Sequence, residues 1–408
     1  MRTDSLRVCI ISQYFPPDMG GASTRVSNAI KGLRSRGHRV FVVTAFPHYP
    51  HGDVPREYRT RAFAVEGDEQ VRVFRVWVPP LPHVGAKRLV MYLSFTLFSL
   101  VALPFCGKVD VVWALSPNYF SAVSGVFYKM AKRVPLVLDI ADLWPEALVS
   151  LGVLRSRLLV GLVNAGAGFF YAVSDGIITM NEGMRREILK RVKDPSRVSV
   201  VENVADLDVF RPFEVERPPS LRGKFVAMYS GNLGRMYDFD TVLESAKELS
   251  SFADILFVIR GSGERLLELR RKVRDYGNVL LLDEVVDVKR VSEFLNMADV
   301  LLLPMKRLEN PETSYPIKLV EYLGCEKPVI CCAEGETASL ISRSDAGLVV
   351  EPERSKDLSD AILKLHTQRD LGEKLGKSGR LLVIENLSPQ RIAEKLEEYL
   401  SSLVSRLS

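Results

Sequence analysis

Short apolar runs alternate with longer helical patterns along this chain, and the alternation occurs twice, which restricts the possible folds to a few. Most of the runs are rich in Val, Ile and Leu and lack the polar alternation of a half-exposed strand. Such runs belong to strands buried on both faces of a parallel sheet, with the intervening helices packed on those faces. The pattern therefore predicts an α/β fold with two successive doubly wound, Rossmann-like domains that face a ligand-binding cleft.

Each half of the chain contains a set of strand-like runs. In the first half they are 8–12, 40–44, 71–76, 109–114, 136–140 and 176–179. In the second half they are 225–230, 255–260, 279–282, 300–303, 328–332 and 347–350. Helices are predicted at 24–36, 240–249, 264–276, 288–297, 317–323, 358–365 and 388–407.

A chain of 408 residues is too long for one ordinary core and suits two domains. A polar, proline-bearing stretch over 211–220 separates the two halves. We predict an N-terminal domain over 1–205, a second domain over 206–387 and a final helix over 388–408. The hydrophobic pattern alone does not identify the surface on which this last helix packs.

The composition excludes some functional classes and indicates a compartment. A net charge of +5, dispersed along the chain, is too small for a nucleic-acid-binding protein. Five cysteines without metal-ligand or CxxC spacing indicate buried thiols in a reducing compartment. The polar start of the sequence does not have the pattern of a signal peptide. We therefore expect a cytoplasmic protein.

One segment, 89–105, is uncharged and apolar apart from two serines and a threonine, and it has Lys87 and Arg88 before it and Lys108 after it. Three structures fit such a segment: a short transmembrane helix, a helix lying in the membrane interface and a buried core helix. The flanking cations favour lipid headgroups. We predict peripheral contact with the inner face of a membrane.

In each half of the chain, a glycine-rich turn follows the first predicted strand. The residues of these turns are Gly20 and Gly21 in the first half, and Gly231, Asn232 and Gly234 in the second. Glycines at a strand-to-helix turn let backbone N–H groups approach a phosphate or a sugar, and the helix N-terminus favours negative charge. Arg235 adds a cation that is able to pair with a diphosphate. The turn at Gly20 and Gly21, taken alone, is also consistent with a simple tight turn.

A third turn, Gly261-Ser262-Gly263, lies between a strand and a helix and resembles a dinucleotide fingerprint. Leu266 replaces the third glycine of that fingerprint, and Asp283 or Glu284 lies near the spacing of its ribose-binding acid. A nicotinamide enzyme is therefore an alternative. Because the turn follows the second strand of its half and is incomplete, we expect nucleotide contact of another kind.

The segment PIKLVEYLGCEKPVI contains a predicted helix that begins just after a proline. This start leaves the N–H groups of Ile317, Lys318 and Leu319 available for phosphate oxygens, and Lys318 adds positive charge. Glu321 is one turn further on, where its carboxylate can accept hydrogen bonds from the two hydroxyls of a ribose. An isolated Glu on an amphipathic helix is more often solvated, but this arrangement favours a nucleotide site.

The sequence predicts no catalytic metal. The DxD sequences at Asp206 and Asp238 lie at a domain junction and at a helix start, where aspartates commonly form turns and caps. The histidines are not clustered at ligand spacing.

With these motifs in view, the sequence resembles the retaining GT-B glycosyltransferases of family 4 over nearly its whole length. The resemblance rests on an ordered series of motifs: YFPPDMGGASTRV, GHRVFVVTAFPHYP, LDIADLWPEALVSLG, VVENVADLDVFRP, YSGNLGRMYDFDTVLESA, IRGSGER, MADVLLLPMK and PIKLVEYLGCEKPVI. The DLWPE and GNLG elements are similar to a branch that transfers amino-sugars or deoxyamino-sugars from UDP donors during surface-polysaccharide or lipid-linked glycan assembly.

The resemblance implies that the C-terminal domain holds a UDP-sugar, used as co-substrate without a cofactor, and that the N-terminal domain holds a glycan or polyprenyl-linked acceptor. It also implies that the last helix crosses back to the first domain. Glu321 matches the ribose-binding glutamate of the family's paired-glutamate motif, whereas Thr313 stands where the first glutamate belongs. The family's two diphosphate-binding cations fall on Asn232 and Tyr237, so we assign that role to Arg235 and Lys318.

Asp142, in the DLWPE motif, is expected next to the transferred sugar. With Asp142, Arg235 and Lys318 as catalytic residues, we expect same-face transfer with retention, in which the donor phosphate helps accept the proton of the acceptor. Two alternatives stay open: a UDP-sugar epimerase of the same architecture, and a non-catalytic sugar-nucleotide-binding protein.

Overall fold

The computed structural model describes residues 5–18, 20–49, 52–81, 85–116, 119–146, 149, 154 and 156–407. The chain forms two compact units. The first comprises Met1–Glu202 with Pro389–Ser408, and the second comprises Asn203–Ser388. Part of the DLWPEALVSLG motif lies outside the described residues.

The first unit is built on an eight-stranded sheet with the order β3-β4-β2-β1-β5-β6-β7-β8. Its strands are β1 (Arg7–Ile11), β2 (Arg39–Ala45), β3 (Phe63–Gly67), β4 (Val71–Val76), β5 (Val111–Ser116), β6 (Leu136–Ile140), β7 (Gly176–Thr179) and β8 (Val198–Val200). Only the pair β3–β4 is antiparallel among these strands. β3 and β8 were not predicted from the sequence, because each lies at an edge of the sheet and is short or partly polar.

Among the described residues, five helices of this unit have bounds: α1 (Gly21–Ser35), α2 (Gly85–Ser99), α3 (Tyr119–Lys132), α4 (Arg157–Val173) and α5 (Glu182–Leu189). A 3₁₀ turn, Leu100–Cys106, continues α2. The crossovers β4–α2–β5, β5–α3–β6 and β6–α4–β7 all run in the same direction along the sheet. Because such crossovers are right-handed, α2, α3 and α4 lie on one face of the sheet and α1 lies on the other. In agreement, α3 contacts both α2 and α4.

The second unit is built on a six-stranded parallel sheet with the order β11-β10-β9-β12-β13-β14. Its strands are β9 (Phe225–Ser230), β10 (Ile255–Arg260), β11 (Val279–Leu282), β12 (Val300–Pro304), β13 (Val329–Cys332) and β14 (Gly347–Val350). Its helices are α6 (Phe239–Glu248), α7 (Leu266–Lys272), α8 (Val288–Met297), α9 (Ile317–Gly324), α10 (Gly335–Arg343), α11 (Ser355–Thr367) and α12 (Arg369–Asn386).

The strand order of the second unit reverses between β9 and β12, which places a topological switch point at their carboxyl ends. Ligands of open α/β sheets bind in the crevice at such a point. The predicted fold class, two doubly wound parallel-sheet domains, is confirmed.

The last helix, α13 (Pro389–Leu407), belongs to the first unit and packs on α1. A Cβ placed on Gly32 of α1 would lie 2.6 Å from Cβ of Ala393, so glycine allows the two helices to approach closely. The hydroxyl of Tyr399 donates to the carbonyl oxygen of Arg197 at 2.6 Å and accepts from the N–H of Ile177 at 2.9 Å. These bonds attach the end of the chain to β7 and β8.

Candidate functional site

The turn 231–235 begins at the carboxyl end of β9, at the switch point. Gly231 has a φ of 149°, which L side chains rarely adopt, and a Cβ there would lie 2.5 Å from Nζ of Lys318. This turn also packs backbone to backbone on the turn 261–263, since a Cβ on Gly261 would lie 1.8 Å from the carbonyl oxygen of Gly231. The N–H of Leu233 donates to the carbonyl oxygen of Ser262 at 2.9 Å.

The glycines of the turn 261–263 are therefore required by packing on its neighbour, whatever ligand binds. A Cβ on Gly263 would lie 2.6 Å from Oδ1 of Asn232 and from the carbonyl oxygen of Leu233. A Cβ on Gly234 would approach the side-chain nitrogen of Asn232 at 3.1 Å. The packing of the turn 261–263 on the turn 231–235 therefore explains the glycines that resemble a dinucleotide fingerprint.

Lys318 lies in the first turn of α9, and its side chain is buried. Nζ bonds to the hydroxyl of Tyr229 and lies 4.2 Å from the ring centroid of Tyr229 and 3.8 Å from that of Tyr237. Aromatic faces attract a cation at this range. Burial lowers the pKa of Lys318 to about 7, against the opposing attraction of Glu321. Lys318 and Tyr237 thus occupy the same small region, where the resemblance led us to expect a cation.

Glu321 lies one turn after Lys318, on the same side of α9, and is half-buried. Burial raises the pKa of Glu321 to about 7, and the positive charge of Lys318 opposes this rise. An ammonium and a carboxylate whose pKa values are both shifted toward 7 are typical of a site that binds a charged or strongly hydrogen-bonding ligand.

The residue after Glu321 attaches this face of α9 to the sheet. The hydroxyl of Tyr322 donates to the carbonyl oxygen of Ser230 at 2.7 Å and accepts from its N–H at 2.9 Å. Since Ser230 ends β9, the two bonds hold Lys318 and Glu321 beside the turn 231–235. Sequence analysis did not identify Tyr229 or Tyr322 as part of the site.

The start of α9 differs in one respect from the prediction. The N–H of Leu319 donates to the carbonyl oxygen of Pro316 at 3.1 Å, so it is not available for a phosphate as predicted. The first turn of the helix is tight, which satisfies this donor internally. The side chain of Leu319 is fully buried, whereas Ile317 is half-buried.

Arg235 lies at the surface, and its Nε is 3.0 Å from Oε2 of Glu264, with 62% of its side chain exposed. The cation is therefore exposed and paired with a carboxylate. A second cation nearby, Arg260, was not identified from the sequence. It is buried at the end of β10, its Nη1 donates to Oγ of Ser230 at 3.2 Å, and it stacks over the ring of Phe294. Burial lowers the pKa of Arg260.

Thr313 and Glu284 are the remaining predicted site residues of the second unit. Oγ1 of Thr313 donates to the carbonyl oxygen of Asn310 at 2.9 Å, which closes the 3₁₀ turn Pro311–Thr313. Glu284 is exposed, and its carbonyl oxygen accepts a bond from Nη2 of Arg260 at 3.4 Å. The structure thus assigns a local structural contact to each of these two residues.

In the first unit, Gly20 caps α1 with a φ of 140°, so the helix begins at Gly21 rather than at the predicted residue 24. Asp18 supports the same turn: its Oδ1 accepts from the N–H groups of His48 and Tyr49 at 2.8 and 2.9 Å. Burial raises the pKa of Asp18 to about 7 and lowers that of His48 to about 4.

Asp142, in contrast, is exposed in the segment after β6. The sequence analysis did not assign a role to Asp18, because an isolated aspartate in a loop has no spacing signal. Only the fold brings the N–H groups of His48 and Tyr49, which lie 30 and 31 residues further along the chain, to its carboxylate.

Metal binding finds no support among the described residues, which contain no group of three or more His, Cys, Asp or Glu side chains placed to hold an ion. Asp238 caps α6, where its Oδ1 accepts from the N–H groups of Asp240 and Thr241. Asp240 forms ion pairs with Arg265 and Lys272. Both aspartates of the second DxD sequence therefore form structural contacts.

Comparisons with known proteins match both units. Residues 20–204 match the family described as a glycosyl transferase 4-like domain, and residues 211–382 match glycosyl transferases group 1. The putative colanic acid biosynthesis glycosyl transferase WcaI of Escherichia coli is 24% identical over 81% of this chain and 84% of its own length.

Among solved structures, the sucrose-phosphate synthase of Thermosynechococcus elongatus matches with a TM-score of 0.77 at 16% identity, over 98% of this chain and all of that one. Anabaena HepE, solved with UDP and glucose, matches with a TM-score of 0.68 at 15% identity, over 97% of this chain and 100% of that one. With two family matches that together cover most of its length, one on each doubly wound sheet, the chain belongs to the GT-B glycosyltransferases of family 4.

Proposed function

We propose that this glycosyltransferase transfers a sugar from a UDP-sugar to a glycan or polyprenyl-linked acceptor, with retention and without a metal ion. One observation carries the proposal: Gly231, Lys318 and Glu321 meet at the carboxyl ends of β9 and β12. This is the place where an open parallel sheet binds a nucleotide. Support for UDP comes from HepE, which was solved with UDP and glucose.

In this proposal Lys318 binds the diphosphate. The ammonium is desolvated, and a positive charge in a site of low dielectric stabilises a phosphate far more than it does in water. A bound diphosphate raises the pKa of Lys318 again, so that the lysine is fully charged when the donor is present. Negative charge develops on the departing UDP during transfer, and the same ammonium stabilises it without a metal.

Glu321 binds the ribose of the donor. Its carboxylate has room for two donors, and the 2′- and 3′-hydroxyls of a ribose supply two. Because the turn 231–235 and the first turn of α9 adjoin, the ribose and the diphosphate of one nucleotide reach Glu321 and Lys318 together. The N–H of Ile317 and the backbone of Asn232 and Gly234 are the further donors in this arrangement.

Arg235 is the movable cation of the proposal. It leaves Glu264 when the diphosphate competes for it, since an exposed ion pair contributes little free energy. Asp142 and the turn at Gly20 and Gly21 serve the acceptor and the transferred sugar in the first unit. The donor phosphate takes the proton of the acceptor hydroxyl on the same face of the sugar. We place the reaction in the cytoplasm, where the five cysteines remain thiols.

A panel of nucleotide sugars tests the donor assignment by thermal unfolding, because a ligand that binds only the folded chain raises the melting temperature. We expect a UDP-sugar to raise it in the wild type and to lose this effect in the Lys318→Met variant. Stabilisation by an unrelated nucleotide, or equal stabilisation of both chains, would contradict the proposal. Conversion of the UDP-sugar into its epimer without acceptor would identify an epimerase instead.

A further inference from the structure

Helix α4 has an unusual surface for a water-exposed helix. Its sequence, RLLVGLVNAGAGFFYAV, contains a single charged residue, and only Ala167 and Tyr171 of the helix are buried. The side chains of Leu158 and Leu162 are 73% and 60% exposed. A surface helix of a soluble domain normally places polar residues on this side. The outward side of α4 is therefore apolar and exposed among the described residues.

Helix α2 has the same property. Met91, Tyr92 and Phe95 are buried against the sheet, whereas Leu93 and Leu97 on the opposite side are exposed. Leu89–Cys106 is the one described stretch that is long and apolar enough to cross a membrane by length and composition, and 33% of it is buried. The segment thus packs on the sheet with one side and exposes the other.

Helix α3 joins these two surfaces. It contacts α2 and α4, and it exposes Phe127 and Met130, the latter at 71%. The outward sides of α2, α3 and α4 therefore form one continuous apolar face on one side of the sheet. Contiguous apolar patches larger than a few hundred Å² are rare on soluble monomers and mark interaction sites.

The charges of the three helices have one sign. None of them contains Asp or Glu, whereas they contain Lys87, Arg88, Lys129, Lys132 and Arg157. Lys129 is paired with Asp175, but Lys87 and Arg157 are exposed in the first turns of α2 and α4. An apolar face bordered by cations and free of acids complements a bilayer that carries anionic headgroups.

We propose that the apolar face of α2, α3 and α4 docks on an anionic phospholipid bilayer. The leucines and aromatic side chains enter the headgroup and acyl boundary, and Lys87 and Arg157 contact lipid phosphates. The helices lie along the membrane surface, because the inner sides of α2 and α3 remain packed on the sheet. This surface goes beyond the proposed sugar transfer and does not depend on it.

Sedimentation with vesicles made of equal parts of phosphatidylglycerol and phosphatidylcholine tests the surface directly. We expect the wild type to sediment with the vesicles. The double variant Leu97→Ser/Leu158→Ser should bind about tenfold more weakly, since each leucine that leaves the lipid forfeits its transfer free energy. A wild type that stays in solution would overturn the proposal.

A matched control separates this effect from a general loss of hydrophobic surface. Leu267 and Leu381 of the second unit are 67% and 56% exposed, close to Leu97 and Leu158. We expect Leu267→Ser/Leu381→Ser to bind vesicles like the wild type. Equal weakening in both double variants would contradict the assignment to α2 and α4. Circular dichroism of all variants confirms that each remains folded.

Two further measurements test whether the apolar face binds an anionic membrane or a second copy of the chain. Replacing Lys87 and Arg157 with Gln should weaken binding to the anionic vesicles by about fivefold for each cation removed. Unchanged binding would overturn the role of charge. Sedimentation velocity without lipid should show a monomer. A dimer that Leu97→Ser/Leu158→Ser dissociates would assign the apolar face to a second copy of the chain and overturn the membrane proposal.

Discussion

The side-chain nitrogen of Lys318 occupies the space that a side chain at residue 231 would need. A Cβ on Gly231 would approach Nζ to 2.5 Å and Cε to 3.0 Å, and the backbone of this glycine has a positive φ. The glycine therefore gives the lysine access to the end of β9. The two residues are 87 positions apart in the sequence, so the reason for a glycine at 231 is not apparent until the fold places Lys318 beside it.

Gly231→Ala is expected to damage both stability and donor binding. The new methyl group displaces Lys318 and strains the backbone, which should lower the free energy of unfolding by about 1–3 kcal/mol. Urea unfolding measures this change, and nucleotide titration measures the loss of affinity. Gly277→Ala is the matched control, because nothing lies within 4 Å of a Cβ there. Equal behaviour of the two variants would show that Lys318 moves aside freely.

Lys318→Met is expected to reduce nucleotide release from the donor by a factor of about 10²–10³, as removal of a preorganised charge does in other active sites. Stability should not fall by a comparable amount, because the methionine removes a desolvated ammonium and retains most of the packing. The exposed Lys289 supplies the control Lys289→Met. Loss of folding together with activity in Lys318→Met would indicate a structural role for the lysine instead.

Glu321→Gln should weaken the binding of UDP by about tenfold or more, since it removes a charged acceptor of two hydrogen bonds. A UDP-sugar that lacks the 2′-hydroxyl should bind the wild type less well and should lose little further affinity in the variant. Isothermal titration of both ligands with both chains completes the cycle. Additive losses would show that Glu321 does not contact the ribose.

The stability of the ligand-free protein should pass through a local minimum near pH 7 that depends on Lys318 and Glu321. The folded-state pKa of Glu321 is raised to about 7, so its contribution to stability falls as pH rises from its unfolded value toward 7. The folded-state pKa of Lys318 is lowered to about 7, so the unfolded chain binds more protons above pH 7 and stability rises again.

The measurement is the difference in free energy of unfolding between the wild type and Lys318→Met/Glu321→Gln across pH 5–10. Taking the difference cancels other groups that titrate in this range, such as Asp18. We expect the wild type to be least stable relative to the variant near pH 7, and saturating UDP to remove the minimum. A difference that is flat with pH would contradict the coupled burial of the two side chains.

Local pattern predicted the central strands well. β9 and β10, both inside the second sheet, have the bounds expected from their apolar runs, because interior strands of a parallel sheet are nearly continuous runs of buried apolar residues. The local pattern did not predict the helix α12, because Gly372, Gly376 and Gly379 give this segment a low helix propensity. A Cβ on Gly376 would lie 2.2 Å from the carbonyl oxygen of Glu326, so close packing of the helix requires what local propensity disfavours.

Local features of the sequence account for the two parallel sheets and for the motifs that contain Gly231, Lys318 and Glu321, because burial and turn chemistry act over a few consecutive residues. Three other relationships could be read only from the three-dimensional fold: Tyr229 and Tyr237 surround the ammonium, the N–H of Leu319 is satisfied internally, and three helices share one apolar face. These relationships depend on distances between segments that the crossovers of the sheet bring together, and no periodicity along the chain encodes such distances.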